Sequence, residues 1–299
     1  MKVREAESIK VSVALVTRNR PESLRRTLES LRAQALQPWE IVLSDDSDEA
    51  FKAETKTIAD SFGCKFILGP RRGLYANRNH AALACAGTHV RTMDDDHEFP
   101  AGHLAQVADA VASSPRDIWV LSEKTKVDNY QAMHPPSQLG PSGYGYPPAE
   151  PDNCWAIADG CTVYPADIFR SGILMEEEWP FGQAYLEFGA RLHFLHGKRC
   201  RLVNGTHVIH HFEPGLRQAQ HRRIEGASAT YAALTFSWRY QPQLGNKLTT
   251  FFRLALFLLK RGWVGGQSIR WGSKIYFANF DHPKNRTEDS RPCTASLRP

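Results

Sequence analysis

The chain has 299 residues, of which 42% are hydrophobic and 23% charged, a composition ordinary for globular proteins. Its net charge of +5 is mild and its basic residues are scattered, which argues against a nucleic-acid-binding module. The six cysteines contain no C-x-x-C pair, which argues against a structural zinc site and favours thiols in a reducing compartment.

The first hundred residues alternate strand and helix signals. VSVALVT (11–17) is a continuous apolar run that suits a buried parallel strand, and Pro21 then opens a helical stretch to about Leu36 with leucines at helical spacing. The same criteria predict strands at 39–44, 65–68, 90–93 and 118–121, and helices at 50–62, 74–85 and 101–113. This alternation predicts an α/β fold with a Rossmann-like, mostly parallel sheet flanked by helices.

Polar residues follow these strands where each strand ends. They are Thr17-Arg18-Asn19, Asp45-Asp46, Gly69-Pro70-Arg71-Arg72 and Asp94-Asp95-Asp96. Ligands of open α/β sheets bind at the carboxyl ends of the strands. The sequence therefore predicts a polar pocket along one edge of the sheet.

The three adjacent aspartates in TMDDDHEFP (92–100) are the most unusual of these groups. Asp94 and Asp96 lie two residues apart, so in an extended backbone their side chains point the same way. Carboxylates at that spacing suit a hard cation such as Mn²⁺ or Mg²⁺, which in turn binds phosphates. Asp95 would point elsewhere, for example to a backbone donor. The alternative is a solvated turn that caps the next helix.

Other strand-end residues have similar alternatives. Asp45 could accept a hydrogen bond from the N–H of a nucleotide base, or belong to a turn that caps helix 50–62. Arg78 and the pair Arg71-Arg72 suit phosphate oxygens because guanidinium groups donate in a fork, or they could form surface ion pairs.

The second half of the chain is less regular. Residues 134–153 are rich in proline, glycine and serine and predict a loop, either a lid or a surface excursion. Further elements are a helix at 184–195 ended by Gly197, a last strand at 201–211, a polar helix at 216–240, a short apolar helix with basic ends at 247–261, and a polar tail from about Asp281 that is expected to be disordered.

Two domains are predicted, 1–215 and a C-terminal helical extension at 216–299. The N-terminus MKVREAESIK has no apolar signal segment, and no apolar stretch reaches the roughly 18–20 residues that span a bilayer. The sequence therefore predicts a cytoplasmic protein. Helix 247–261 would pack on the domain or a partner, or lie on the inner face of a membrane as a peripheral contact.

Together these stretches resemble family 2 glycosyltransferases of the GT-A fold. VSVALVTRNRPESLRRTLESL is similar to that family's opening strand, turn and helix, and IVLSDDSDE to its base-binding aspartate segment. GLYANRNHAALACAGTHVRTMDDD is similar to its A-R-N-x-G helix and metal-binding D-x-D motif. The resemblance covers residues 10–100 well and 155–215 loosely. It implies inverting transfer of a sugar from a UDP- or dTDP-sugar to an acceptor hydroxyl.

The resemblance also implies roles for individual residues on the nucleotide side. Thr17 and Arg18 would lie in the first nucleotide-contacting turn. Asp45 would contact the base, and Arg78 would lie near the base or the diphosphate.

At the metal, the resemblance implies that Asp94 and Asp96 form the D-x-D pair. Asp96 would be the direct ligand of Mn²⁺ or Mg²⁺, while Asp94 and Asp95 complete the donor-contacting set. The family often adds a histidine after the last strand, which implies a ligand role for His210 or His211, whereas a buried strand histidine is the alternative.

The acceptor half departs from the family. Its usual E-D-x-E-L-G-x-R-L helix supplies the general base, but here AYLEFGARL has Ala184-Tyr185 in place of the acidic pair. Glu187 is the predicted base, and Glu176–Glu178 could reach the site from upstream. Glu187 could instead pair with Arg191 at i+4.

Three other classes of function stay open. A nucleic-acid-binding module, although disfavoured by the charge pattern, would bind duplex or single strands with a strong salt dependence. The missing acidic pair also fits a nucleotide-sugar-binding protein with weak or no transfer activity. A related nucleotidyltransferase would show a glycine-rich loop after the first strand, and TRNRPES contains no glycine.

Overall fold

Strand β1 (Val11–Thr17) lies inside the first half of the sheet, and six of its seven residues are buried. The protein is described here from a computed structural model, which covers residues 8–127, 130–211 and 219–280. Strand β1 pairs in parallel with β2 (Glu40–Asp45) and β4 (His89–Asp94), and β3 (Lys65–Leu68) extends the sheet beyond β2. All three pairs bring strand ends to one edge, as the alternating pattern predicted.

Four helices connect these strands. They are α1 (Pro21–Arg32), α2 (Glu49–Ser61), α3 (Leu74–Leu83) and α4 (His103–Ser113). Helix α1 buries Leu24, Leu28 and Leu31 completely, which confirms the helical spacing read from the sequence. Helix α1 ends at Arg32, four residues before the predicted end.

The second half of the sheet contains antiparallel strands that the sequence pattern did not reveal. Strand β10 (Thr162–Pro165) lies antiparallel between β4 and β6 (Ile118–Val127), and β11 (Cys200–His211) lies parallel to β6. Two further strands, β5 (His97–Glu98) and β7 (Tyr130–His134), pair antiparallel with β11 and β6. The sheet is mostly parallel, as predicted, but β10 has only four residues and gives no periodic signal.

The segment between β7 and β11 carries the remaining short elements. They are β8 (Gln138–Leu139), β9 (Gly145–Tyr146), α5 (Asp167–Arg170) and α6 (Ala184–His196). Strands β8 and β9 form a small hairpin inside the predicted loop at 134–153. Helix α6 ends at His196, and the next residue, Gly197, adopts a left-handed φ of 60°, which confirms the helix end predicted at this glycine.

Two long helices complete the described residues. Helix α7 (Ala219–Thr235) continues into a π-helical turn (Phe236–Tyr240), and α8 (Leu244–Phe280) is broken at Gly262. Helix α7 is largely buried from Gly226 onward, because alanines and a glycine allow α8 to approach closely. The polar helix predicted at 216–240 therefore corresponds to α7, which is more buried than a polar helix would be. The short helix predicted at 247–261 lies within α8, which is much longer.

Some of the sequence predictions fall outside the described residues, namely the start of the helix at 216–218 and the tail from Asp281. The domain boundary near residue 215 stays a prediction. Among the helices that the structure does describe, none is long and apolar enough to cross a membrane.

Candidate active site

The loops after β1 and β2 are fastened to each other at the carboxyl edge of the sheet. The Asn19 backbone N–H donates to Ser47 Oγ (2.8 Å), and the Asn19 amide donates to Asp48 Oδ2 (2.7 Å). The Asp48 N–H donates in return to Asn19 Oδ1 (2.8 Å). Asn19 has a left-handed φ of 57°, which asparagine tolerates better than most residues. These bonds fix the two loops as one wall.

A cleft of about 870 Å³ opens beside this wall. Its lining residues from the strand ends include Thr17, Arg18, Asn19, Arg20, Asp46, Asn77 and Asp94. The opposite side is formed by Pro180, Phe181 and His221, and the Phe181 and His221 rings contact each other with centroids 4.3 Å apart and planes tilted by 44°. The size suits a small-molecule ligand. The predicted pocket is present, and it is closed on its far side by residues from 180–181 and α7.

Two neighbouring aspartates contribute differently to the wall of the cleft. Asp45 is buried, and its Oδ1 accepts the Ser47 backbone N–H (2.9 Å), while its Oδ2 is buried without a hydrogen-bond partner. Asp46 lines the cleft and accepts the Arg71 backbone N–H (2.8 Å). Burial raises the pKa of Asp46. Asp46 therefore faces the cleft more directly than the predicted Asp45.

Arg78 is buried between two carboxylates. Its Nη2 lies 2.6 Å from Asp94 Oδ2, and its Nη1 bonds Asp159 Oδ1. Gly160 follows with a φ of 75°, and a Cβ there would lie 2.7 Å from Asp94 Oδ2. Arg78 thus holds Asp94 and Asp159 together, whereas the sequence had predicted contact with the base or the diphosphate.

Asp95 points into the protein, as its spacing predicted, but to different partners. Thr17 Oγ1 donates to Asp95 Oδ2 (2.5 Å), and the Arg20 guanidinium bonds Asp95 Oδ1. Burial and the neighbouring carboxylates raise the pKa of Asp95 to about 7, against the opposing charge of Arg20. Thr17 and Asp95, both predicted to contact the donor, therefore hold each other, and of the two Thr17 also lines the cleft.

Asp96, His97 and His210 form a cluster whose ligand atoms all lie within 4.8 Å of one another. Asp96 Oδ2 lies 2.9 Å from Arg20 Nη1 and 3.5 Å from His210 Nε2, and Asp96 Oδ1 lies 3.7 Å from His97 Nε2. Asp96 Oδ1 is buried without a hydrogen-bond partner. One carboxylate and two imidazoles around an unsatisfied buried oxygen fit a divalent cation.

The charges in this cluster favour Asp96 and His97 as ligands, whereas His210 would have to release a proton before it could coordinate a cation. Burial opposes ionisation of Asp96, but the hydrogen bond from His210 and the nearby positive charges lower the pKa of Asp96 below its ordinary range. Burial lowers the pKa of His97, which keeps that ring neutral and able to coordinate. Despite burial, Asp96 and Glu123 raise the pKa of His210 to about 10.

Strand β11 separates the two histidines that the sequence left as alternatives. His210 Nδ1 bonds the Glu123 carboxylate on β6, which orients the other ring nitrogen towards Asp96. His211 Nε2 instead lies 2.7 Å from Glu98 Oε2. Successive side chains of a strand point to opposite faces, so only one of the two can reach the cluster. The structure brings His210, and not His211, to Asp96.

Replacing these two histidines separately tests the assignment. We expect His210→Ala to weaken Mn²⁺ binding by roughly 100-fold, because the proposed imidazole ligand and the hydrogen bond by which Glu123 orients it are both lost. The Mn²⁺ affinity is measured directly by isothermal titration calorimetry. His211→Ala is the matched control and should leave Mn²⁺ affinity within about twofold of the wild type. Equal losses in both variants would contradict the assignment.

Glu187 is buried and lies among structural partners. Its Oε1 accepts the Tyr240 hydroxyl and lies 3.3 Å from Arg191 Nε, and its Oε2 lies 3.3 Å from Arg191 Nη2. Only 1% of the residue is exposed, and burial raises the pKa of its carboxyl group. The pairing with Arg191 that the sequence left open is present. An acceptor hydroxyl has no free surface of Glu187 to approach in this conformation.

Two of the three upstream glutamates that the sequence considered are also engaged. Glu177 pairs with Arg72 (2.7 Å) and accepts from the Asn79 amide (3.0 Å), while Glu176 accepts from the Asn279 amide (2.5 Å). Glu178 is exposed. These contacts fasten the segment at 176–179 to α3 and α8, next to the residues that close the cleft.

Sequence reasoning missed several residues of the site. Glu123 lies on β6, Asp159 precedes β10, and His221 lies on α7. None of the three belongs to a recognisable sequence motif, so their neighbours in the sequence did not identify them. His97 directly follows the aspartate cluster and could have been included as a metal ligand, since imidazole is the commonest metal ligand in proteins. Asp159 is the most exposed of the four carboxylates that pair with Arg78 or His210, at 36% of its side chain against 20% for Asp94 and Glu123 and 9% for Asp96.

Comparison with known protein families identifies one match. Residues 12–172 match the family described as "Glycosyl transferase family 2". A curated relative, "Uncharacterized glycosyltransferase YwdF" of Bacillus subtilis (strain 168), is 30% identical over 107 residues. That segment spans 36% of this chain and 40% of the relative. The family match covers more than half of the chain and includes every strand-end loop that lines the cleft.

Solved structures with low sequence identity share the fold. GalNAc-T7, solved with UDP, GalNAc and Mn²⁺, superposes with a TM-score of 0.65 at 16% identity, covering 94% of this chain and 58% of that one. S. aureus TarS 1-349 in complex with UDP-GlcNAc superposes with a TM-score of 0.55 at 14% identity, covering 91% of this chain and 92% of that one. The likeness shows that the chain has the GT-A fold predicted from its sequence, with a C-terminal helical region.

Proposed function

This chain belongs to glycosyl transferase family 2, and from that premise we propose that it transfers a sugar from a nucleotide-diphosphate donor to an acceptor hydroxyl. The observation that carries the proposal is the composition of the cleft. Acidic and basic side chains from three strand ends line it beside the cluster of Asp96, His97 and His210. A nucleotide diphosphate needs both kinds of group, hydrogen-bond acceptors for its base and cations for its phosphates.

The donor that we propose is a UDP-sugar. Asp46 and the unpartnered Oδ2 of Asp45 offer carboxylate acceptors where a base N–H would enter, and Arg18 offers a guanidinium on the same wall. The structures of GalNAc-T7 and TarS that share this fold contain UDP or UDP-GlcNAc. A dTDP-sugar presents the same base edge and stays the alternative donor.

The cofactor that we propose is Mn²⁺, held by Asp96, His97 and His210. Imidazole is a softer ligand than the all-oxygen sets that suit Mg²⁺, so two histidines in the cluster favour Mn²⁺ over Mg²⁺. A divalent cation bound there would neutralise the negative charge that develops on the departing diphosphate. The GalNAc-T7 structure carries Mn²⁺.

The general base that we propose is Asp159 rather than Glu187. Asp159 shares the Arg78 guanidinium with Asp94, which lines the cleft, and it exposes 36% of its side chain. A carboxylate that is exposed beside the cleft can accept the proton of a hydroxyl that approaches it. Asp159 would take the proton of the acceptor hydroxyl as that oxygen bonds to the anomeric carbon and the bond to the diphosphate breaks, with inversion of configuration.

A second candidate function is binding of a nucleotide sugar with little or no transfer. Two observations favour it. Tyr185 occupies the position of the family's acidic residue, and burial raises the pKa of its hydroxyl group, so Tyr185 is no substitute for a carboxylate base. Glu187 is buried among structural partners. A binder would keep the whole donor side of the cleft and lose only the step that activates the acceptor.

Thermal shift with nucleotides and metal tests the proposal. We expect UDP and UDP-sugars to raise the melting temperature by several degrees only when Mn²⁺ is present, because ligand binding to the native state stabilises it by mass action. ADP and GDP with Mn²⁺ are matched controls for diphosphate binding without the uracil base. Slow hydrolysis of the stabilising UDP-sugar would support transfer, whereas binding without turnover across an acceptor panel would favour the second candidate. No stabilisation by any nucleotide would contradict both.

A further inference from the structure

The first half of α8 turns its apolar side outward. Large apolar residues recur three or four positions apart on one helical face, each at least 48% exposed: Leu244, Leu248, Phe251, Phe252, Leu256 and Leu259. On the opposite side Thr250 is fully buried and donates to the Pro141 carbonyl (2.7 Å). A surface helix ordinarily buries its apolar face. An apolar face that points away from the protein marks an interaction surface.

The break at Gly262 makes a corner at the end of this face. Gly262 has a φ of 51° and a ψ of −128°, which does not continue the helix. A Cβ at Gly265 would lie 3.0 Å from the Phe257 carbonyl oxygen, so the chain folds back on the preceding turn. The corner, residues 259–264, is wholly exposed, and Leu259 and Trp263 are each 81% exposed. These are the most exposed large apolar side chains of the described residues.

Helix α8 differs in net charge from the rest of the chain. The helix contains six basic residues and no acidic residue, so the remainder of a chain of net charge +5 carries a net charge of −1. Two of the six, Lys260 and Arg261, lie in the corner, and Lys247 borders the apolar face. Long basic side chains can place their charge at a polar boundary while their stems cover apolar surface.

A basic groove of about 630 Å³ follows the corner, between α7 and the second half of α8. Arg223, Arg270 and Lys274 line it, and Trp271 forms its apolar side. Gln267, one helical turn beyond Trp263, also lines the groove, so the groove begins on the face that carries Trp263. No acidic residue contributes to the lining given by the described residues. The groove has the charge needed for an anionic headgroup.

We propose that α8 docks this protein on an anionic lipid bilayer, with residues 259–264 inserted among the headgroups. Aromatic and leucine side chains next to basic residues are the composition of interfacial membrane helices. Each lysine or arginine near an anionic surface adds to the attraction, and tryptophan prefers the interface. A second copy of the chain is the less favoured occupant, because two α8 faces with six basic residues each would repel.

Co-sedimentation with vesicles tests this surface independently of the catalytic proposal. We expect the full chain to bind vesicles of phosphatidylglycerol and phosphatidylcholine in equal parts, to bind pure phosphatidylcholine much less, and to be released by about 0.5 M salt, which screens the charges. The double variants Leu259→Ser/Trp263→Ser and Lys260→Glu/Arg261→Glu should each lose roughly tenfold or more of the binding.

The matched controls are Leu68→Ser and Lys56→Glu, which change an exposed leucine and an exposed lysine far from α8 along the chain. Both should bind as the wild type does. The melting temperature and the nucleotide response of every variant separate a folding defect, or a failure of the proposed activity, from loss of docking. Failure of the wild type to bind anionic vesicles would overturn the proposal. So would a dimer in sedimentation velocity that Leu259→Ser/Trp263→Ser dissociates while vesicle binding stays unchanged.

Discussion

Asp96→Asn is expected to reduce Mn²⁺-dependent UDP affinity by roughly 100-fold or more, because the amide removes the charged ligand at the centre of the cluster. Asp96 faces His97, His210 and Arg20, and its Oδ1 is a buried acceptor without a partner. Losing the carboxylate leaves two imidazoles, which bind a hard cation weakly by themselves. Calorimetric titration with UDP at saturating and at zero Mn²⁺ measures the effect.

The matched control for this substitution is Asp109→Asn, an exposed aspartate on α4. It should leave both titrations unchanged. Because Asp96→Asn also removes an ion pair with Arg20, the melting temperature without ligand reports any loss of folded protein separately. Metal-dependent UDP affinity within twofold of the wild type would remove Asp96 from the metal site.

Asp159→Asn is expected to lower the rate of sugar transfer by roughly 10²–10⁴-fold while UDP binding persists, which is the range that a positioned general base contributes. Asp159 contacts Arg78 rather than the residues that line the nucleotide side of the cleft. Its replacement by a near-isosteric amide should therefore act on turnover and leave Kd for UDP nearly unchanged. Turnover with the best acceptor and a parallel UDP titration measure the two quantities.

Glu187→Gln provides the contrast in the same assays. Its carboxylate accepts a hydrogen bond from Tyr240 and pairs with Arg191 in the interior. Removing one partner of a buried ion pair lowers the free energy of unfolding by about 3–5 kcal/mol. We expect a clearly lower melting temperature and near wild-type turnover per folded molecule. The opposite pattern, with turnover lost in Glu187→Gln and kept in Asp159→Asn, would return the base to the residue predicted from the sequence.

The strand ends that line the cleft were predictable. Thr17 and Asp94 end two buried strands and Arg18 follows the first, and parallel strands bring their carboxyl ends to one edge of a sheet whatever the details of packing. The order of the motifs then identified the family. The position of a residue at a strand end does not indicate which interior residue its side chain contacts. The pairing of Thr17 with Asp95 spans 78 positions of sequence.

The proposed metal site was predictable only in part. The sequence indicated Asp96 and one of two adjacent histidines, but the choice between His210 and His211 depends on which face β11 presents when it pairs with β6. A shift of one residue in that register exchanges the two side chains. Glu123, which fixes the His210 ring, lies 87 positions away and carries no local signal.

The sequence by itself determined the α/β fold, the family and the edge of the sheet where the ligand pocket lies. Hydrophobic periodicity and the residues at strand ends are local features of the sequence. They can be recognised without knowledge of the packing. Only the tertiary structure decided that Glu187 is buried against Tyr240, that Asp159 lies beside Asp94, and that α8 exposes its apolar face. Each of these depends on contacts between distant segments, which determine whether a carboxylate meets solvent or a partner and which side of a helix is covered.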